Sequence, residues 1–180
     1  MNWIRTYTGK QFWPLMPRIE DIDIEDIAHS LSMQCRFGGH ARYHYSVAQH
    51  CVLICERTKA DGLTTTTRLA ALLHDASEAY LVDFPRPVKQ LMPEYAVAEE
   101  RLQSVIHRRF QVDVDDKTAA LIKKLDDAIL YDESRALFKN GFPFVDQVQN
   151  VTAFTIERWK PKRAKKEFME RFKSMTLGRY

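Results

Sequence analysis

Leu69-Ala-Ala-Leu-Leu-His74-Asp75-Ala-Ser-Glu78-Ala-Tyr-Leu81 is the stretch on which the reading of this chain turns. Its first half is continuously apolar, as expected of a helix buried in a core. At its polar end two good metal ligands stand side by side. A packed helix has no need of that coordinating power, so the pair points to a metal ion and to hydrolysis. Neighbouring residues on a helix diverge by about 100°. His74 and Asp75 can therefore share one ion only if it sits off the helix side, near a distorted end, with other helices completing the shell. Imidazole and carboxylate together suit a divalent ion such as Mn²⁺, Co²⁺, Zn²⁺, Fe²⁺ or Ni²⁺, with Mg²⁺ also admissible.

Outward from this stretch, helical signals dominate. Asp23 can cap a helix over 24–34, and Ser46 one that runs to about residue 59 with His50 in its first turns. The periodic segment around His74-Asp75 reads as one helix from about Thr66 to Tyr80. Pro87 can start a short helix over 87–91, and Pro93 a long one to about Phe110. Asp116 can cap another to about Phe138, and a last helix covers about 162–174 with Phe168 and Phe172 on one stripe. Residues 3–13, aromatic and β-branched around Thr8-Gly9-Lys10, suggest a short hairpin. Residues 140–158 are mixed, a loop or short strand. The expected fold is mainly all-α with a short N-terminal β-hairpin. No repeat, low-complexity tract or Gly/Ser linker interrupts residues 1–180, which predicts a single domain.

Composition narrows the function classes. The 180 residues carry a formal net charge of +3, too little to argue for a nucleic-acid polymer as partner. The basic run Lys160–Lys166 reads most simply as a solvated helix face. No apolar run reaches the roughly 18 residues of a membrane span. The N-terminus lacks the apolar core of a signal peptide, so a cytoplasmic location is expected. Three cysteines, Cys35, Cys51 and Cys55, do not make the even set of a secreted scaffold; Cys51 and Cys55 read as buried thiols.

Candidates to complete the metal shell lie on other predicted helices. His50 follows a capped helix start, and Asp126 or Asp127 places a carboxylate in a largely apolar stripe; helical geometry rates the two aspartates equally. Glu78, one turn beyond His74-Asp75, can face the same cavity as an acid or base beside the ion. His40 and His44, in the glycine-containing loop before the His50 helix, can contact a phosphate, ligate a second ion, or simply stabilise the loop. His29 and His107 read as structural. Glu133 and Arg135, two apart on a helix, suit bracing of the site or a subunit contact.

The order His50, His74-Asp75, Asp126 resembles the H…HD…D signature of the HD-domain phosphohydrolases. The segment His74 to Lys89 is similar to that of bacterial 5′-deoxynucleotidases at the His-Asp, the Glu, the later Asp83, both prolines and the Lys. Thr8-Gly-Lys, Cys35-Arg-Phe-Gly-Gly-His40, Tyr45-Ser-Val-Ala-Gln-His50 and Phe168-Met-Glu-Arg-Phe172 resemble small phage- and prophage-encoded HD hydrolases more closely. This resemblance covers nearly the whole chain. It implies an HD-type helical bundle with His50, His74, Asp75 and Asp126 as metal ligands and Glu78 as acid/base. It also implies Asp83 as a polar contact to the sugar or the reacting phosphate, and Arg36 as a phosphate clamp. Phe37 takes the place of a tryptophan that lies against the nucleoside. The expected reaction is hydrolysis of a deoxynucleotide, either dephosphorylation of a monophosphate or attack on a triphosphate such as dATP. A non-catalytic nucleotide- or metal-binding HD regulator, and an HD phosphodiesterase for a signalling nucleotide, are the competing readings. Relatives of this size commonly form dimers or higher homo-oligomers.

Overall fold

A computed structural model of the chain describes residues 2–141 and 154–180. Much of the segment read as loop or short strand, 142–153, lies outside the described residues. Its flanks, 140–141 and 154–158, form neither helix nor strand.

The hairpin forms where expected. Strands β1 (Ile4–Arg5) and β2 (Gln11–Phe12) pair antiparallel, Ile4 opposite Phe12 and Arg5 opposite Gln11. Gly9 closes the turn at φ +87°, a conformation that costs glycine least. The hairpin is pinned to the body by Thr8, whose backbone N–H and hydroxyl donate to the buried Asp26 carboxylate at 2.6 and 2.9 Å. Phe12, fully buried, stacks on Tyr80 with ring centroids 4.0 Å apart.

Eight α-helices follow among the described residues: α1 (Ile24–Met33), α2 (Val47–Ala60), α3 (Thr65–Leu72), α4 (Glu78–Leu81), α5 (Arg86–Lys89), α6 (Pro93–Phe110), α7 (Asp116–Leu137) and α8 (Pro161–Thr176). Asp23 and Ser46 cap α1 and α2 as their residue types require, accepting from the backbone N–H of Glu25 and Gln49. The cap of α7 is Asp115 rather than Asp116; its carboxylate accepts from Thr118 N–H, and Asp116 is already the first helical residue.

Helices α1, α2 and α3 pack on α8, and α7 lies against α2 and α3. Phe168 and Phe172 enter this core with no exposure, beside Ile27, Leu31, Ile54 and Leu72. Burying one such side chain stabilises the fold by about 1.5–3 kcal/mol, so α8 is a structural keystone of the bundle. Cys51 and Cys55 are buried free thiols, as read. No helix among the described residues is long and apolar enough to cross a membrane.

The single helix expected over Thr66–Tyr80 is not formed. It breaks into α3 and α4, and residues 73–77 make a tight turn between them. Ala76 N–H donates to Leu73 C=O at 3.0 Å and Glu78 N–H to Asp75 C=O at 3.1 Å, both three-residue spacings. A side chain from α6 occupies the break. In an unbroken helix Ser77 N–H would donate to Leu73 C=O. Here the Gln103 amide stands between them, accepting from Ser77 N–H at 3.0 Å and donating to Leu73 C=O at 2.7 Å. A side chain inserted into the ladder is one of the few established causes of a helix break.

Candidate metal centre

The break puts His74 and Asp75 where one ion can meet both. His74 Nε2 lies 3.2 Å from Asp75 Oδ2, although an unbroken helix would turn the two side chains apart. From α2, His50 Nε2 comes within 3.3 Å of His74 Nε2 and 3.6 Å of Asp75 Oδ2. Ligand atoms of these three residues all lie within 4.8 Å of one another. Asp126, from α7, adds Oδ1 at 3.3 Å from His50 Nε2.

Hydrogen bonds on the far sides of the rings fix which nitrogens face inward. His50 Nδ1 is 2.7 Å from Glu133 Oε1, and His74 Nδ1 is 2.8 Å from the carbonyl of Ala71. Carboxylate and carbonyl oxygens only accept, so Nδ1 is the outward donor in each ring and Nε2 is the nitrogen left to face the cluster, bare when the ring is neutral. Two imidazole nitrogens and two carboxylates thus converge on one small volume. Such a concentration of negative charge favours a cation at its centre, so the residues fit a divalent ion.

The same field governs the acid–base chemistry. Burial disfavours charged His74, but the Asp75 carboxylate outweighs it and raises His74 well above the ordinary imidazole value. Burial alone would raise Asp75 and Asp126; contact with His74 lowers the first, and with His50 the second, below the usual carboxylate range.

Glu133, read as a bracing residue, is fully buried beneath His50. It also accepts from Arg36 Nη2 at 3.4 Å. Arg36 Nη1 reaches Asp75 Oδ2 at 3.5 Å, and its guanidinium lies 5.3 Å from the centre of the Phe37 ring. Arg135 is directed elsewhere, to the Tyr131 hydroxyl at 3.1 Å.

Glu78, the first residue of α4, is buried, and its Oε2 has no hydrogen-bond partner among the described residues. Burial, with the charges of Asp75 and Asp83, pushes its carboxyl up to about 8, against the pull of Lys89. Lys89 donates to Glu78 Oε1 at 2.8 Å and to Glu99 Oε1 at 2.6 Å. Gln34 holds the other end of α4. Its Nε2 donates to Glu78 C=O at 2.9 Å, and its Oε1 accepts from Asp83 N–H at 3.0 Å. Val82, between them, is held at φ +73°, which a β-branched residue adopts only under constraint.

Asp126 and Asp127, equal on sequence geometry, separate here. Asp127 faces outward to Arg86 at 3.0 Å and to Lys123, its side chain 45% exposed. Asp126 faces His50 with a side chain 22% exposed. His40 is exposed on the loop, and His44 Nε2 lies 3.4 Å from the Met33 carbonyl; neither joins the cluster. His29 stacks on Tyr7 at 3.7 Å, and His107 Nε2 meets Gln103 Nε2 at 2.8 Å. Gln34 and Gln103 carried no signal in the sequence, because a glutamine in an amphipathic helix is ordinarily a surface residue.

A cavity of about 280 Å³ opens from His74, Asp75 and Asp126, walled by Ala70, Val114 and Ile122.

No family model matches the chain. It is 36% identical over 179 residues to the uncharacterized protein YfdR of Escherichia coli K12, covering 98% of this chain and 97% of that protein. An uncharacterized protein of Rhodobacter capsulatus is 42% identical over 113 residues, 60% of this chain and 58% of that one. A 5′-deoxynucleotidase of Pectobacterium atrosepticum is 27% identical over 135 residues, 72% of this chain and 59% of the enzyme.

Proposed function

The chain belongs to the family of the Escherichia coli protein YfdR, and from its ligand cluster we propose that it is a metal-dependent phosphohydrolase of the HD type acting on a deoxynucleotide. The observation that carries this reading is the convergence of His50, His74 and Asp75, with each imidazole bonded outward through Nδ1 and turning Nε2 to the cluster. The distant similarity to a 5′-deoxynucleotidase supports the same reaction class and suggests the deoxynucleotide.

In this reading His50, His74, Asp75 and Asp126 hold the ion. Bound there, a divalent ion supplies Lewis acidity toward a phosphoryl oxygen and a water of lowered pKa. The Glu133 carboxylate orients His50 and secures its tautomer. Arg36, at the edge of the cluster, clamps the phosphate by paired N–H donors and offsets its charge. Glu78 is poised to hold a proton at neutral pH and to deliver it to the leaving oxygen. Asp83, fixed through its backbone by Gln34, contacts the sugar, and Phe37 lies against the nucleoside. Phosphoryl transfer depends mainly on placement and charge stabilisation, which these groups provide without a nucleophilic side chain.

A screen of deoxy- and ribonucleotides at mono-, di- and triphosphate level, with product identification and added Mn²⁺, Co²⁺ or Zn²⁺, tests the proposal. Metal-dependent release of phosphate or tripolyphosphate from deoxynucleotides is expected. Nucleotide binding without turnover under every metal would replace it with the non-catalytic regulator.

A further inference from the structure

Gln103 lies outside the ligand set, yet its amide decides the shape of the segment that carries two of the ligands. Its Oε1 takes the Ser77 N–H at 3.0 Å and its Nε2 gives to Leu73 C=O at 2.7 Å, the two groups that an α-helix would join to each other. His74 and Asp75 lie between these anchor points. Ser77 N–H can only donate and Leu73 C=O can only accept, which fixes the amide's orientation; Nε2 also lies 2.8 Å from His107 Nε2. Both polar atoms of the Gln103 amide are therefore engaged. Leu73 and Ala76, the apolar members of the turn, are fully buried, so the broken geometry is packed as well as bonded.

We infer that Gln103 is a positioning residue for the metal centre: by replacing the Ser77–Leu73 helical bond with its own amide, it preforms the turn in which His74 and Asp75 face one ion. This rests on the metal-dependent reading above. Were the bond restored, residues 73–77 would wind into α3 and α4, and Asp75 would swing about 100° away from His74. The ion would then have to break that helix on binding, and its affinity would fall by the cost of doing so.

Gln103→Met keeps the length and apolar volume of the side chain while removing all of its hydrogen bonds. Isothermal titration of purified protein with Mn²⁺ should show affinity about 10-fold weaker or worse than wild type, the scale on which groups behind metal ligands act. The far-UV circular dichroism should be retained. Unchanged Mn²⁺ affinity in Gln103→Met would overturn the inference even if its thermal stability fell, because a purely structural role predicts only that loss. A second measurement needs no variant. Hydrogen exchange of metal-free wild type should find the Ser77 amide protected, since Gln103 already holds it. Free exchange until Mn²⁺ is added would show that the metal shapes the turn, and would overturn the inference. The titration also separates the two claims. Wild type that binds no divalent ion overturns both. Wild type that binds Mn²⁺ but hydrolyses no nucleotide overturns the phosphohydrolase reading alone, and the comparison with Gln103→Met still decides the role of Gln103.

Discussion

His50 and His74 face each other through their Nε2 atoms across 3.3 Å, with each Nδ1 turned away, to Glu133 and to the Ala71 carbonyl. Two such nitrogens at this distance, flanked by Asp75 and Asp126, make a site that gains from a cation.

Metal should therefore stabilise the fold. An ion at 100 times its Kd adds about 2.7 kcal/mol, and each kcal/mol raises the melting temperature of a domain this size by roughly 2–4 °C. Thermal melts with and without chelator should show that rise for wild type and none for Asp75→Ala, which should also release no phosphate. Undiminished phosphate release from Asp75→Ala would remove it from the ligand set.

The two neighbouring aspartates of α7 should behave differently. Asp126→Asn should weaken metal binding, because its Oδ1 approaches His50 at 3.3 Å. Asp127→Asn should leave affinity unchanged and lose only surface pairs with Arg86 and Lys123, worth about 0–1 kcal/mol. Titration calorimetry of both variants checks the contrast.

Glu133→Gln retains an oxygen to accept from His50 Nδ1 but removes the charge that also holds Arg36. Metal affinity should drop by about 10- to 100-fold, as for other groups behind metal ligands. Glu133→Ala should be worse, since it leaves Arg36 with one fewer buried partner and costs about 3–5 kcal/mol of stability, read by urea denaturation.

Glu78→Gln should bind metal as wild type does and lose about 10²- to 10⁴-fold in kcat, the range for a missing general acid or base. Stability supplies an independent check on metal-free protein. The carboxyl is raised in the fold to about 8, so between the ordinary glutamate value and pH 8 the folded chain holds a proton that the unfolded chain has released. Stability due to this group is greatest below the unfolded value and declines as pH rises toward 8. Melting temperatures of Glu78→Gln should lack that part of the decline. Parallel pH profiles for the two proteins would contradict it.

Much of this was legible in the sequence. Capping residues and apolar periodicity located α1, α2, α6 and α7 to within a residue or two, because local hydrogen bonds and one-sided burial act within a few turns of chain. The ligand residues stood out as coordinating side chains at the edge of apolar helices. The resemblance implied that they share one ion, but how they meet was not legible, since periodicity continues straight through His74-Asp75 and predicts one helix there. Only the tertiary structure brings Gln103 from α6 into the ladder between Leu73 and Ser77, opens the helix, and turns both ligands to the same point. It likewise sets Asp126 toward His50 and Asp127 toward solvent, and places Glu133 beneath the imidazole it orients. The sequence by itself determined which side chains could ligate a metal and placed His50 and Asp126 on their helices. Their convergence was decided by contacts between residues dozens of positions apart, which no local spacing encodes.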